Sequence, residues 1–138
     1  DEGIAPETVD EAALAYGMPM GPIELIDTVG LDVALAAGKQ LGGGAQTPRC
    51  LDARIQRGDL GRKTGKGFYG YAGGKTAKGA AGAVPAGLAL RLITPLLART
   101  RGLVEEGIVA DADLADAGVI FGTGYAPFTG GPLFHARQ

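Results

Sequence analysis

The chain is poor in the residues that do the most recognisable chemistry. Among 138 residues it has one cysteine (Cys50), one histidine (His135) and no tryptophan. A single cysteine excludes an internal disulfide and a cysteine-based zinc cluster, and fits a reducing compartment, the cytoplasm. Aromatics make up only 6%, so a core has to be built from Leu, Ile, Val and Ala. No apolar run approaches the ~18 residues of a membrane span, and no basic-then-apolar segment opens the chain as a secretory signal would. Acids are missing from one long stretch. Residues 60–104 carry eight bases (Arg62, Lys63, Lys66, Lys75, Lys78, Arg91, Arg99, Arg101) and no acid, between two acidic flanks. Such a basic middle is expected to hold an anion or to pair with its own flanks. Lys75 and Lys78 read as solvated lysines of a linker.

What the chain has in excess is glycine, 25 residues without a collagen-like period. Glycines and prolines punctuate a series of short helices. APETVDEAALAYG predicts one that starts at Pro6, takes Glu7 and Asp10 at its positive end, and closes at Gly17. GPIELIDTVG predicts a second, with Ile23, Ile26 and Val29 as its apolar stripe. LDVALAAGKQLGGG predicts a third, capped by Asp32 and ended by the triple glycine, and PRCLDARIQRG a fourth with Leu51 and Ile55 inward. LGRKTGKGFYGY then reads as a basic, aromatic loop with an extended piece around Phe68 to Tyr71, and the next residues as a flexible linker. The longest helix is expected over GLALRLITPLLARTRGLVEEG, kinked at Pro95. A shorter one capped by Asp111 or Asp113 follows, and a last begins after Gly131 and Pro132.

Two segments resemble each other. EGIAPETVDEAALAYGMPMGP (2–22) and EGIVADADLADAGVIFGTGYAP (106–127) both run from Glu-Gly-Ile through an acidic helix start to an aromatic-Gly pair and a Gly/Pro turn. They read as two copies of one helical unit. The first copy lacks the long helix that precedes the second, so the chain is expected to be a piece of a longer protein.

Few residues suggest a reaction. Gly65-Lys66-Gly67-Phe68-Tyr69-Gly70 matches GxGxxG but has no following helix and no acid ~20 residues on, so it is not a dinucleotide fingerprint. GRKTGKG has the wrong spacing for a phosphate-binding Walker loop. A basic glycine turn remains, whose amides and lysines are of a kind that can face a phosphate; Phe68 and Tyr71 are expected to pack on helices, and Lys63 is assigned to neither role. His135 lies near nothing that makes a triad or metal site. Glu24, Asp27 and Asp32 read as helix-end charges rather than an acid/base pair.

GMPMGPIEL through Asp27, VGLDV (29–33), LGRKTGKGFY (60–69) with Tyr71, and GTGYAPFTGGP (122–132) resemble the C-terminal region of the 3-hydroxyacyl-CoA dehydrogenase family. Two tandem copies look like its multifunctional form, the alpha subunit of a fatty-acid oxidation complex. The resemblance implies an all-α fold of tandem repeats, similar to the C-terminal domain of 6-phosphogluconate dehydrogenase, with one basic glycine-rich loop. Residues 1–71 would form the first unit without its leading helix, 72–85 a linker, and 86–138 a truncated second unit. The implied parent activity is oxidation of (3S)-3-hydroxyacyl-CoA to 3-ketoacyl-CoA with NAD, by hydride transfer while a histidine takes the hydroxyl proton. In the family that histidine and its glutamate belong to a Rossmann domain outside this chain, so the chain alone is expected to be inactive and to carry no catalytic residue and no metal. Lys63 matches a position that contacts the nicotinamide cofactor. Phe121 matches a position where multifunctional relatives have a substrate-contacting tyrosine. Ala98-Arg99-Thr100 departs from the Asn-Glu-Ala that relatives often carry. The implied partners are acyl-CoA, the chain's own Rossmann domain, and a second copy or a thiolase subunit. A helical dimerisation module without a ligand is the alternative. Nucleic-acid binding ranks low, because interleaved aromatics are scarce and the pI is near 5.3.

Overall fold

The computed structural model describes residues 2–41 and 46–137. The described residues form seven α-helices and one two-stranded hairpin. The glycines predicted to end the third helix at 42–44 lie outside the described residues. No helix is long and apolar enough to cross a membrane, among the described residues. The chain divides into two compact units, one of residues 1–11 with 20–83, the other of 12–19 with 84–138. This division assigns residues 12–19 to the second unit, which the sequence boundaries had not separated from residues 1–71.

In the first unit, α1 (Pro6–Tyr16) begins, and α2 (Pro22–Val29), α3 (Leu31–Leu41) and α4 (Arg49–Gln56) follow. Gly30 alone separates α2 from α3. Its φ of +112° turns the chain while its amide still donates to the Ile26 carbonyl, a conformation that side chains disfavour. Leu31, fully buried, anchors the corner. Asp32 is not the predicted cap: it sits inside the first turn of α3, because Gly30 already supplies the carbonyl that receives the Ala34 amide. Ile23 and Ile26 are half-buried as expected, but Val29 is exposed. The extended piece after the glycine loop becomes β1 (Gly70–Ala72), and β2 (Lys75–Ala77) pairs with it antiparallel, Tyr71 opposite Thr76. The sequence had placed this second strand in the linker; the positive-φ pair Gly73-Gly74 makes it a hairpin turn instead.

In the second unit, α5 (Leu88–Glu105) runs unbroken through Pro95, and α6 (Ala112–Thr123) and the short α7 (Pro132–His135) pack on it. Asp111 caps α6 by accepting the Leu114 amide at 2.9 Å. Ile93, Tyr125 and Ala126 form the core, surrounded by Tyr16, Met18, Leu96, Leu97, Val119 and Ile120. Tyr16 and Tyr125 share a hydroxyl hydrogen bond of 2.6 Å.

One bonding pattern occurs in both units. In the first unit the Asp10 carboxylate accepts the amides of Ile23 and Glu24, at 2.8 and 3.2 Å. In the second, Asp116 accepts those of Leu133 and Phe134, at 2.7 and 2.8 Å. Each acid is buried, and each holds the first amides of a helix that opens with Gly-Pro. A carboxylate suits that place, since first-turn amides have no intrahelical acceptor. In bonding, Gly131-Pro132 holds the place that Gly21-Pro22 holds in the first unit. The sequence reading sets GMPMGP beside GTGYAP, and a 3-10 turn, Pro127–Thr129, lies between GTGYA and Gly131-Pro132.

Glycine precedes both prolines because a Cβ there would overlap the clamping acid. Gly131→Ala, at φ +113°, is expected to destabilise the second unit by ~2–3 kcal/mol. Gly118→Ala, on an exposed face of α6 with open space around it, should stabilise by ~0.5–1 kcal/mol. Thermal unfolding followed by circular dichroism distinguishes the two.

Candidate functional site

The basic glycine loop of the first unit is built around one acid. Asp27, on α2, is completely buried. Its carboxylate accepts the amides of Phe68 and Tyr69, both at 2.9 Å, and the hydroxyl of Tyr71 at 3.1 Å. Glycine makes this approach possible. A Cβ at Gly67 would overlap the Asp27 carboxylate, and one at Gly61, where φ is +97°, would overlap the Asp27 main-chain carbonyl. The loop closes on itself through paired Gly61 and Lys66 main-chain bonds of 2.7 and 3.2 Å. The Thr64 hydroxyl braces it by accepting the Leu60 amide at 2.9 Å. The Leu60 carbonyl in turn accepts the Leu31 amide, tying the loop to the start of α3.

A second acid, Asp10, extends the network. Besides the two helix amides it accepts the Tyr69 hydroxyl at 2.8 Å and the Lys78 ammonium at 3.2 Å. Lys78 also reaches Glu24 at 2.6 Å. The sequence reading of Lys78 as a solvated linker lysine is corrected here: the hairpin returns it to α1 and α2, and its side chain is 27% exposed. The following residues are held too, Gly79 by Glu7 and Gly82 by the Thr8 hydroxyl. Burial pushes the Tyr69 phenol far above its usual range, and the Asp10 carboxylate adds to the shift. Tyr71 is raised likewise, by burial and then by Asp27. For Lys78, burial opposes the charge, but the hydrogen bonds to Glu24 and Asp10 outweigh it and hold the ammonium above its ordinary value.

The loop leaves its basic side chains at the surface. Lys63 bonds both carboxylate oxygens of Asp32, at 2.6 and 2.7 Å, with its head group over Gly30. This bond is the first cause of a lowered Asp32 pKa. Lys66 pairs with Asp59 at 3.6 Å, and the Arg54 guanidinium lies 3.9 Å from the centre of the Phe68 ring. Of the two outcomes expected for the basic stretch, the pairs to Asp10, Glu24, Asp32, Asp59 and Glu106 show neutralisation by the flanks.

The second predicted ligand residue, Phe121, lies in the other unit on α6, with 90% of its surface exposed. His135 is exposed and sets its ring edge-on to Tyr16 at 6.1 Å. Asp27 and Asp10 were the misses. Their signal was present, because Asp27 lies four residues after Ile23, on the helix stripe read as apolar. An acid on such a stripe has to be bonded by something arriving from elsewhere.

Comparison with known proteins gives this loop and its helices a family. Residues 1–71 match the profile of the 3-hydroxyacyl-CoA dehydrogenase, C-terminal domain. The fatty acid oxidation complex subunit alpha of Shewanella putrefaciens is 36% identical over 97% of this chain, and that of Shewanella baltica 38% over 97%. The chain spans about a fifth of these relatives, 21% of each. The dehydrogenase part of a multifunctional enzyme from C. elegans shares the fold, with a TM-score of 0.62 at 22% identity, over 81% of this chain and 29% of that one.

Asp27→Ala leaves two amides and a phenol without their acceptor, and is expected to cost ~3–5 kcal/mol; Lys66→Ala should stay within ~0.5 kcal/mol. Denaturant midpoints test both, and limited proteolysis of the Asp27→Ala protein should cut first within residues 61–78. Because Tyr69, Tyr71 and Lys78 are all raised, the stability their protonated forms give is complete below the unfolded values near ~10 and is lost as pH rises above them. The melting temperature should therefore fall above about pH 10, and less steeply in Tyr69→Phe.

Proposed function

Since the chain belongs to the 3-hydroxyacyl-CoA dehydrogenase family through that family's C-terminal domain, we propose that it is the helical part of an NAD-dependent enzyme oxidising 3-hydroxyacyl-CoA to 3-ketoacyl-CoA in fatty-acid oxidation. The observation that carries this reading is the match over residues 1–71, which includes the whole glycine loop and both acids that hold it. The role we assign to this part is binding and positioning. Lys63 would meet the nicotinamide cofactor, and its half-exposed ion pair with Asp32 offers a donor and an acceptor side by side at the surface. These groups suit a ligand carrying hydroxyls and amide oxygens. The cofactor, when bound, supplies the hydride acceptor. Phe121, with its ring open to solvent, would give an acyl chain an apolar contact but no hydrogen bond. Leu25, Val29 and Val33 are about half exposed along α2 and α3, and would serve as part of a contact with another domain or a second copy.

The direct test is turnover. The full-length protein should reduce acetoacetyl-CoA with NADH, and this chain alone should not. Turnover by the isolated chain, or none by the full-length protein with any 3-ketoacyl-CoA, would overturn the reading.

A further inference from the structure

Among the described residues, Lys63 is the one loop base held by a two-oxygen bond to a carboxylate. The distances of 2.6 and 2.7 Å are those of a strong charge-assisted pair. Three features of the fold place it. The clamp on Asp27 sets the loop against α2, the Leu31–Leu60 main-chain bond ties the loop to α3, and the 3-10 turn Arg62–Thr64 carries Lys63 outward. Asp32 follows the Gly30 corner by two residues, so its carboxylate and the lysine meet above that glycine. A side chain at Gly30 would press on both: a Cβ would come 2.9 Å from the Asp32 carboxylate and 3.2 Å from the Lys63 ammonium. The corner that joins two helices thus also makes room for the pair. Both members remain accessible, with side chains 45% and 42% exposed.

Resting on the reading of Lys63 as a cofactor contact, we infer that Asp32 is a second contact residue that also holds Lys63 in place, and that the pair acts as a neutral unit recognising a hydroxyl or carboxamide of a pyridine dinucleotide rather than its pyrophosphate. A lone lysine is a flexible point charge suited to phosphate. Here the charge is offset by a carboxylate, which is ionised at neutral pH as aspartates ordinarily are and lies within direct bonding distance of the ammonium. Net attraction for a dianionic group is correspondingly small. What the pair offers instead is an ammonium N–H to donate and a carboxylate oxygen to accept, adjacent and held. A ribose hydroxyl can satisfy both at once, because it donates and accepts. Holding the lysine in advance also lessens the side-chain ordering that binding would otherwise require.

The experiment is NADH binding to the full-length protein, followed by cofactor fluorescence at low and high salt. Lys63→Ala is expected to weaken NADH about tenfold, as the loss of a hydrogen bond from a charged donor does, and equally at both salt concentrations. Asp32→Asn should weaken it by a similar factor, Asp32→Glu should restore much of the loss, and the double variant should be no worse than either single one. The inference is overturned, with the lysine reading intact, if Lys63→Ala weakens NADH while Asp32→Asn leaves binding unchanged or tighter. It is equally overturned if the Lys63→Ala penalty fades steeply with salt, as a phosphate contact would. If Lys63→Ala has no effect at all, the cofactor reading itself fails and this inference with it.

Discussion

The first unit depends on a carboxylate placed where no water can reach it. Asp27 is charged chemistry at the centre of a small helical unit, and it is tolerated because three donors from the loop converge on it. Burial of an unpaired charge is prohibitive, so loop and helix order each other: neither the acid without the amides nor the amides without the acid is a stable arrangement. The loop has almost no regular structure of its own. Its shape is imposed by what must reach Asp27, and the glycines at 61 and 67 are there because that approach leaves no volume for a side chain.

The same logic explains where the positive charge of the middle stretch goes. Lys78, with 27% of its side chain exposed, pairs with Asp10 and Glu24, while Lys63 and Lys66 are more exposed and pair at the surface. The less exposed pairs bear on stability more than the exposed ones, a division set by how much water each retains. The tyrosines belong to the first group: their hydroxyls donate to carboxylates and close the network that strands and helices alone would leave open.

Helix positions were legible because their punctuation is local. Pro6, Gly17, Pro22, Gly30, Asp111 and Gly131 mark ends by conformational preference, and the structure places helix ends at them. The hairpin was not legible, since AGGKTAKG is short, small and polar, and its pairing depends on the distant acids that receive Lys78. Asp10 and Asp27 were read as helix-end charges because their partners lie far along the chain, at separations of 59 residues for Tyr69 with Asp10 and 41 for Phe68 with Asp27. For the loop lysines, the sequence showed their presence and the family motif singled out Lys63. Its partner Asp32 became visible only when the helix corner brought the two together.

The two aspartate clamps join acid to helix in a way that tolerates variation in the chain between them. A clamp reads backbone amides, so it is indifferent to which side chains it holds and to how many residues separate acid from helix. Asp10 reaches its first amide 13 residues on, Asp116 reaches its own 17 residues on. The intervening chain can therefore differ in length, the second unit including the Pro127–Thr129 turn, without changing the corner itself. Two helical units can thus differ in the length of chain between acid and helix while keeping the same joint. What they share is the bond between an acid and a Gly-Pro helix start, and the spacing between the two is free to vary.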